Sequence, residues 1–192
     1  KLLKKFEFIS VRDVNSANIV KKLIDYEPPI VVDPTFLATP AILENKNLST
    51  KLPKKEYAII YGNYFNDEQK KIILNYCKRN NLEIISLGYF VKWVKNNFLD
   101  LNPTDFFQLI KNSKIVFTSM FHGIMFSIKL KKNFFYSIDP IRINKVTHII
   151  NELELKSRML DKNSNLNEEI NYILQSELGI ELNTILKSLV QE

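Results

Sequence analysis

The chain has 192 residues, of which 45% are hydrophobic and 11% aromatic, and it carries a formal net charge of +6. This composition supplies one buried core and excludes an intrinsically disordered chain. The basic residues are mostly lysines scattered over helix-like segments, without a basic stripe interleaved with aromatic side chains, so we expect no nucleic-acid partner.

Two further features bear on the compartment. No apolar run approaches the roughly 20 residues of a membrane-spanning helix. The single cysteine, Cys77, has no partner for a disulfide within the chain. Because such a chain suits a reducing compartment, we expect a cytoplasmic protein.

Short apolar runs alternate with helical periodicities along the chain. Strands are predicted at 6–11, 29–33, 57–62, 83–88, 114–119 and 133–138. Their lack of clean alternation is typical of strands buried on both faces of a parallel sheet. Helices are predicted at 16–25, 67–79, from Thr104 as N-cap after Pro103, at 144–153, at 167–178 and at 181–190. The alternation predicts an α/β fold with a Rossmann-like parallel sheet flanked by helices.

A polar, proline-containing segment at 38–55 lacks periodicity and is predicted to be a linker. Residues 1–37 hold two predicted strands and one helix, too little to bury a core. We expect them to end an N-terminal Rossmann-like domain, and residues 56–192 to form a C-terminal Rossmann-like donor-binding domain with terminal helices. In the alternative, residues 1–37 supply edge strands of a single sheet.

The stretch IVFTSMFHGIMFSI, residues 115–128, places one of two histidines beside one of four glycines. In an open parallel sheet, ligands bind at the carboxyl ends of the strands. Gly62 and Gly88 end predicted strands, and Gly123 ends the turn after Ser119. A helix that starts near Gly123 would offer unpaired amide groups to a phosphate or carboxylate.

The side chains of this turn suit an anion pocket. Thr118 and Ser119 can add hydroxyl donors, and Gly123 permits close approach. His122 can donate a hydrogen bond, carry positive charge or move a proton. In the alternative, His122 merely caps the helix and Gly123 merely relieves a tight turn.

Arginine is scarce in this lysine-rich chain, which has only four. Arg12 and Arg142 each follow a predicted strand, on the edge where His122 is expected. A planar guanidinium can hold a carboxylate or phosphate by two hydrogen bonds. Arg79 is predicted to be solvated on a helix face, and Arg158 to be structural.

The order of these segments resembles the polysaccharide pyruvyl transferase family. The resemblance rests on ISVRD, VVDPTFL, YAIIYG, ISLG, the block from Pro103 to Phe135 with its T-S-x-F-H-G motif, and PIRI. It covers residues 6–160. The block from Pro103 to Phe135 is its most specific piece, and SVRD followed by a DPT strand is a second, independent match. Some members carry arginine where this chain has Met120, so one phosphate-binding group is absent here.

The resemblance implies a GT-B-like architecture and transfer of pyruvate from phosphoenolpyruvate onto a sugar as a ketal, in building bacterial surface polysaccharide such as capsule or exopolysaccharide. It implies catalytic or donor-binding roles for His122 and Arg12, with the Thr118–Gly123 turn around the donor. Together with the residue-based arguments, the expected substrate-binding residues are Thr118, Ser119, Phe121, Gly123, Arg142 and Gly62. The expected partners are phosphoenolpyruvate and a lipid-linked or polymeric sugar acceptor, the latter consistent with peripheral association at the inner membrane face.

We expect no cofactor and no metal, because two histidines and one cysteine, widely spaced, offer no zinc-binding pattern. Two other functions stay open. One is a GT-B-type, sialyltransferase-like glycosyltransferase that uses a nucleotide sugar. The other is a non-catalytic partner in glycan assembly. His148, in a helical stretch among apolar residues, is predicted to pack or to lie at the surface rather than to catalyse.

Overall fold

The computed structural model describes residues 2–31, 33–36, 53–140, 143–164 and 166. Its centre is one five-stranded sheet, with strands β1 Tyr57–Tyr61, β2 Glu83–Leu87, β3 Asn96–Phe98, β4 Ile115–Thr118 and β5 Asn133–Tyr136. Every pairing is parallel, and the strand order is β3-β2-β1-β4-β5. The predicted α/β class with a Rossmann-like parallel sheet is confirmed.

Helices flank the sheet on both faces. They are α1 Val14–Ile24, α2 Asp67–Arg79, α3 Pro103–Asn112, α4 Phe121–Lys129 and α5 Ile143–Glu152. Short 3-10 helices are formed by Leu3–Lys5, Pro34–Phe36 and Leu155–Arg158. Within the described ranges, no helix is both long and apolar enough to cross a bilayer.

The sheet separates two apolar layers. Ile59 of β1 packs in the cluster that holds the apolar side chains of α3, α4 and α5. Its neighbour Ile60 belongs to the opposite cluster, with Ile73 and Cys77 of α2. Successive strand side chains point to opposite faces, so β1 is apolar at every position because both of its faces are covered. Full burial of each such isoleucine stabilises the fold by about 1.5–3 kcal/mol.

The chain reverses its direction of winding between β1 and β4. From β1 it passes through α2 to β2 on one side, and from β4 it passes through α4 to β5 on the other. The loops that leave β1 and β4 therefore diverge and open a crevice at the carboxyl edge of the sheet, by which we mean the edge where the strands end. Residues 62–66 and 119–120 form the two loops.

Several predicted elements are wrong in detail. Segments 6–11 and 29–33 are not strands, since their described residues share only an isolated bridge between Val11 and Ile30. The α3 N-cap is Asn102, whose side chain accepts from the Asp105 amide, and not Thr104. The polar strand β3 was not predicted.

Other predictions fall outside the described part of the chain. They are the helices at 167–178 and 181–190, most of the linker at 38–55, and the position of Arg142. The assignment of residues 1–37 to a separate domain stays a prediction. In the structure, the described residues of this segment contact α4 and α5.

Candidate functional site

The first turn of α4 lies in the crevice of the sheet. The helix begins at Phe121, two residues before the predicted start. Its N-cap, Met120, provides no side-chain capping hydrogen bond. By contrast, α1, α2 and α3 are capped by the side chains of Asp13, Asn66 and Asn102. Because the first amides of a helix lack an intrahelical acceptor, those of Phe121 and His122 are left for a ligand.

The two hydroxyls before α4 hold the turn together. Thr118 is fully buried, donates to the Tyr61 carbonyl at 2.9 Å and accepts from the Met120 amide at 3.0 Å. The hydroxyl oxygen of Ser119 accepts from the Tyr64 amide at 3.2 Å. Both predicted binding hydroxyls thus have partners inside the protein, and they support the shape of the turn.

Two predicted binding residues, Gly62 and Gly123, allow the β1 and β4 loops to touch. Gly62 has φ +102°, and a Cβ there would lie 2.3 Å from the Ser119 hydroxyl oxygen. A Cβ on Gly123 would lie 2.0 Å from Thr118 Oγ1 and 2.9 Å from a ring carbon of Tyr61. Any side chain at either position would force the loops apart and displace the start of α4.

We expect Gly123→Ala to lower the free energy of unfolding by about 1–3 kcal/mol, because the new methyl group overlaps buried Thr118. This loss exceeds the gain of about 1 kcal/mol that alanine brings to a helix interior. Urea unfolding measures the difference. Asn75→Ala at an exposed position of α2 is the control, and it should be neutral or slightly stabilising. An unchanged midpoint for Gly123→Ala would contradict the tight contact.

The Phe121 ring brings Arg12 and His122 together. The Arg12 guanidinium carbon lies 4.7 Å from the centroid of that ring. The His122 ring meets the same ring edge-on, with centroids 5.4 Å apart. Phe121 is buried, whereas His122 is exposed. A cation stacked on a ring is attracted to it, so Phe121 fixes the guanidinium beside the first turn of α4.

Asp33 holds Arg12 from the other side. Its carboxylate pairs with Arg12 Nη1 at 2.5 Å, with side-chain exposures of 5% for Asp33 and 32% for Arg12. Burial acts to raise the pKa of Asp33, but hydrogen bonds from Thr35 and Arg12 and the Arg12 charge outweigh it. The pKa of Asp33 therefore lies below its usual value, and the carboxylate stays charged.

We expect Asp33→Asn to lower the free energy of unfolding by about 1–2 kcal/mol at neutral pH, since the partly exposed Arg12 loses a charged hydrogen bond. A lowered carboxyl pKa stabilises the fold above the unfolded value of 3.8, and that contribution disappears as pH falls through the lower folded value. Urea unfolding at decreasing pH should show the two proteins converging below pH 3.8. Glu27→Gln, which removes an exposed pair with Lys21, is the control. A stability difference independent of pH would refute the ion pair.

The ion pair of Asp33 with Arg12 was not predicted, although the DPT segment belongs to the family resemblance. Asp33 directly precedes the 3-10 helix Pro34–Phe36. That helix packs on α4, where the Lys129 ammonium donates to the Thr35 carbonyl. The SVRD and DPT segments thus meet at one ion pair. The presence of both segments in one chain was the sequence feature that could have indicated this ion pair.

The remaining candidate residues lie elsewhere. Arg158 is buried, with its guanidinium over Phe134 and Phe135, which fits the predicted structural role. His148 belongs to α5. In the described part of the chain, no group of three or more His, Cys, Asp or Glu side chains is placed to hold a metal ion.

Residues 1–140 match the family described as polysaccharide pyruvyl transferase. The chain belongs to the polysaccharide pyruvyl transferase family. The match includes Arg12, Asp33, Phe121 and His122, so the cluster at the start of α4 lies within the family region of a transferase. Comparison with curated proteins and with solved structures gave no match.

Proposed function

We propose that this pyruvyl transferase moves pyruvate from phosphoenolpyruvate onto a sugar of a bacterial surface polysaccharide precursor as a ketal. One observation carries the proposal. Arg12 and His122, far apart in sequence, contact the same Phe121 ring at the uncapped start of α4. A guanidinium, two helix amides and an imidazole suit a small donor with a carboxylate and a phosphate.

The reaction needs a proton, a cationic site and a leaving phosphate. A proton adds to the methylene carbon of phosphoenolpyruvate while one sugar hydroxyl bonds to the central carbon and loses its proton. Phosphate then leaves, and a second hydroxyl of the same sugar bonds to that carbon and loses its proton. The product is a cyclic ketal of pyruvate, with one phosphate released. Negative charge grows on the phosphate as it leaves, and fixed cations and helix amides stabilise that charge.

The residues of the cluster divide these tasks. Arg12, held by Asp33 and Phe121, binds the carboxylate or the phosphate in a fixed orientation. The exposed His122 delivers the proton to the methylene carbon or to the departing phosphate. Gly62, Gly123, Thr118 and Ser119 keep the turn in shape. Arg142, which lies outside the described residues, is proposed from the sequence alone as a second guanidinium for the donor. The mechanism uses no cofactor.

The acceptor we propose is a lipid-linked or polymeric sugar. A lipid-linked acceptor would place the reaction in the cytoplasm at the inner membrane face. In a GT-B-like arrangement, the described sheet is the donor-binding half and the acceptor base lies in the other half.

The full-length protein tests this proposal with phosphoenolpyruvate and a lipid-linked oligosaccharide. We expect one phosphate released for each pyruvate transferred, and no release without the acceptor. Cytidine and uridine nucleotides should not compete with phosphoenolpyruvate in a calorimetric titration. Tight nucleotide binding without phosphoenolpyruvate binding would favour a glycosyltransferase. Donor binding without turnover on any acceptor would favour a non-catalytic partner.

A further inference from the structure

A second cavity opens at the carboxyl edge of the sheet, beside the β1 loop. It has a volume of about 550 Å³, within the range of small-molecule sites. The start of α2, residues 137–138 after β5 and the segment 159–161 line it, together with the β1 loop. We call it the Gln69 cavity after one of its lining residues.

Gln69 ties the three walls of the cavity together. Its side-chain amide donates to the Leu160 carbonyl at 2.8 Å. Its oxygen accepts from the Asn66 amide at 3.0 Å and from the Ser137 hydroxyl at 3.1 Å. Leu160 in turn donates its amide to Tyr136 of β5 at 2.8 Å. These lining segments are therefore held together before any ligand arrives, which lowers the entropy cost of binding.

The chemistry of this cavity differs from that of the α4 site. Among the described residues that line it, none is lysine or arginine, whereas Glu68 and Asp161 carry carboxylates. The start of α2 is closed by the reciprocal bonds of Asn66 and Gln69. Phosphate and carboxylate are therefore disfavoured here, both by the like charges and by the capped helix.

A neutral ring with several hydroxyls suits these walls. Carboxylate and amide oxygens accept hydrogen bonds from hydroxyls, while the amide nitrogens of Asn63 and Asn66 can donate to them. Tyr64, a residue that is 47% exposed, adds an aromatic ring on which the apolar face of a sugar can pack. One oxygen of Asp161 is used within its own turn, by the Asn163 amide at 2.7 Å.

The cavity shares a wall with the α4 site. The amide of Tyr64 donates to the Ser119 hydroxyl oxygen, and Gly62 lets this loop press against Ser119 and Met120. A ligand in the cavity would therefore lie across one loop from the first turn of α4. Ketal formation requires a sugar to reach the donor from such a neighbouring position.

We propose that the Gln69 cavity binds the neutral sugar ring of the acceptor, with Tyr64 as packing surface and Glu68 as hydrogen-bond acceptor. This inference rests on the proposed function, since it assigns a place to the second substrate of that reaction. It assigns acceptor contacts to the described sheet, in addition to any made by another half of the protein.

Saturation-transfer NMR on the full-length protein tests the cavity, with methyl glycosides of galactose, glucose, mannose, N-acetylglucosamine and N-acetylmannosamine as probes. We expect at least one to bind, and Tyr64→Ala and Glu68→Gln each to weaken it about tenfold. Phe90→Ala, which removes an exposed aromatic ring outside the cavity, is the matched control and should change nothing. Both cavity positions are exposed, and Glu68→Gln preserves side-chain shape, so folding should survive; thermal unfolding checks it.

Calorimetry with phosphoenolpyruvate on the same variants separates the two proposals. Unchanged donor affinity beside weakened glycoside binding is the expected result. The cavity proposal is overturned if no glycoside binds wild type, if binding survives both substitutions, or if both weaken the donor equally. If a glycoside binds in a Tyr64-dependent manner but phosphoenolpyruvate does not bind, the sugar site is supported and the proposed donor is wrong.

Discussion

His122→Ala is expected to lower pyruvyl transfer by about 10²–10⁴-fold, the usual contribution of a positioned acid or base. The imidazole is exposed, and its ring meets Phe121 at the start of α4, where a donor would approach. Alanine keeps the helix, because the turn is held by Thr118 and Ser119 and not by His122. Phosphate release from phosphoenolpyruvate measures the loss.

The other histidine provides the control. His148→Ala lies in α5 and should leave turnover unchanged. Both variants should unfold in urea at the wild-type midpoint if their side chains have no structural role. Equal turnover in His122→Ala and wild type would remove this residue from the mechanism. A strong loss in His148→Ala at unchanged stability would show that the second histidine was wrongly set aside.

Local sequence signals predicted the central sheet and its helices well, because capping residues mark helix ends and apolar runs mark the buried strands. The prediction of α2 at 67–79 matches Asp67–Arg79, where Asn66 and Gln69 form a capping box at the start. The strands β1, β2, β4 and β5 are largely apolar, and most of their residues are buried on both faces of the sheet. The strand β3 was not predicted, because its polar residues Asn96 and Asn97 do not resemble those of a buried strand.

The N-terminal segment shows where local signals fail. Phe6, Phe8 and Val31 are apolar and strand-like, yet the structure leaves them exposed without a strand ladder. Strand propensity describes how well a residue fits a pleated, half-buried surface, and pairing partners have to supply that surface. An apolar run alone therefore cannot specify a strand.

The sequence predicted where the candidate site lies more accurately than it predicted which groups its side chains contact. The sequence located the turn before α4 and brought Arg12 to it, but it assigned ligand binding to the hydroxyls of Thr118 and Ser119. Their partners, Tyr61 and Tyr64, lie more than fifty residues away in sequence, so no local pattern could reveal them. The ion pair between Arg12 and Asp33 was not predicted for the same reason, because the two residues are 21 positions apart in sequence.

Arg12→Lys is expected to weaken phosphoenolpyruvate binding by about 1.5–3 kcal/mol, the value of a hydrogen bond to a charged group. That loss corresponds to about 10–150-fold in the dissociation constant. Lysine keeps the charge, but it lacks the planar group that pairs with Asp33 while lying over Phe121. An ammonium can satisfy one of these partners or the donor, and it cannot hold a carboxylate by two parallel bonds.

Calorimetry on the full-length protein distinguishes geometry from charge. Arg79→Lys, at an exposed position near the end of α2, is the matched control and should bind the donor like wild type. Phe121→Leu keeps Arg12 and its charge but removes the ring beneath it, so it should weaken binding in the same direction. If Arg12→Lys binds phosphoenolpyruvate as tightly as wild type, the fixed guanidinium is not needed. The donor would then be held without a fixed guanidinium at position 12, and the case for phosphoenolpyruvate would weaken.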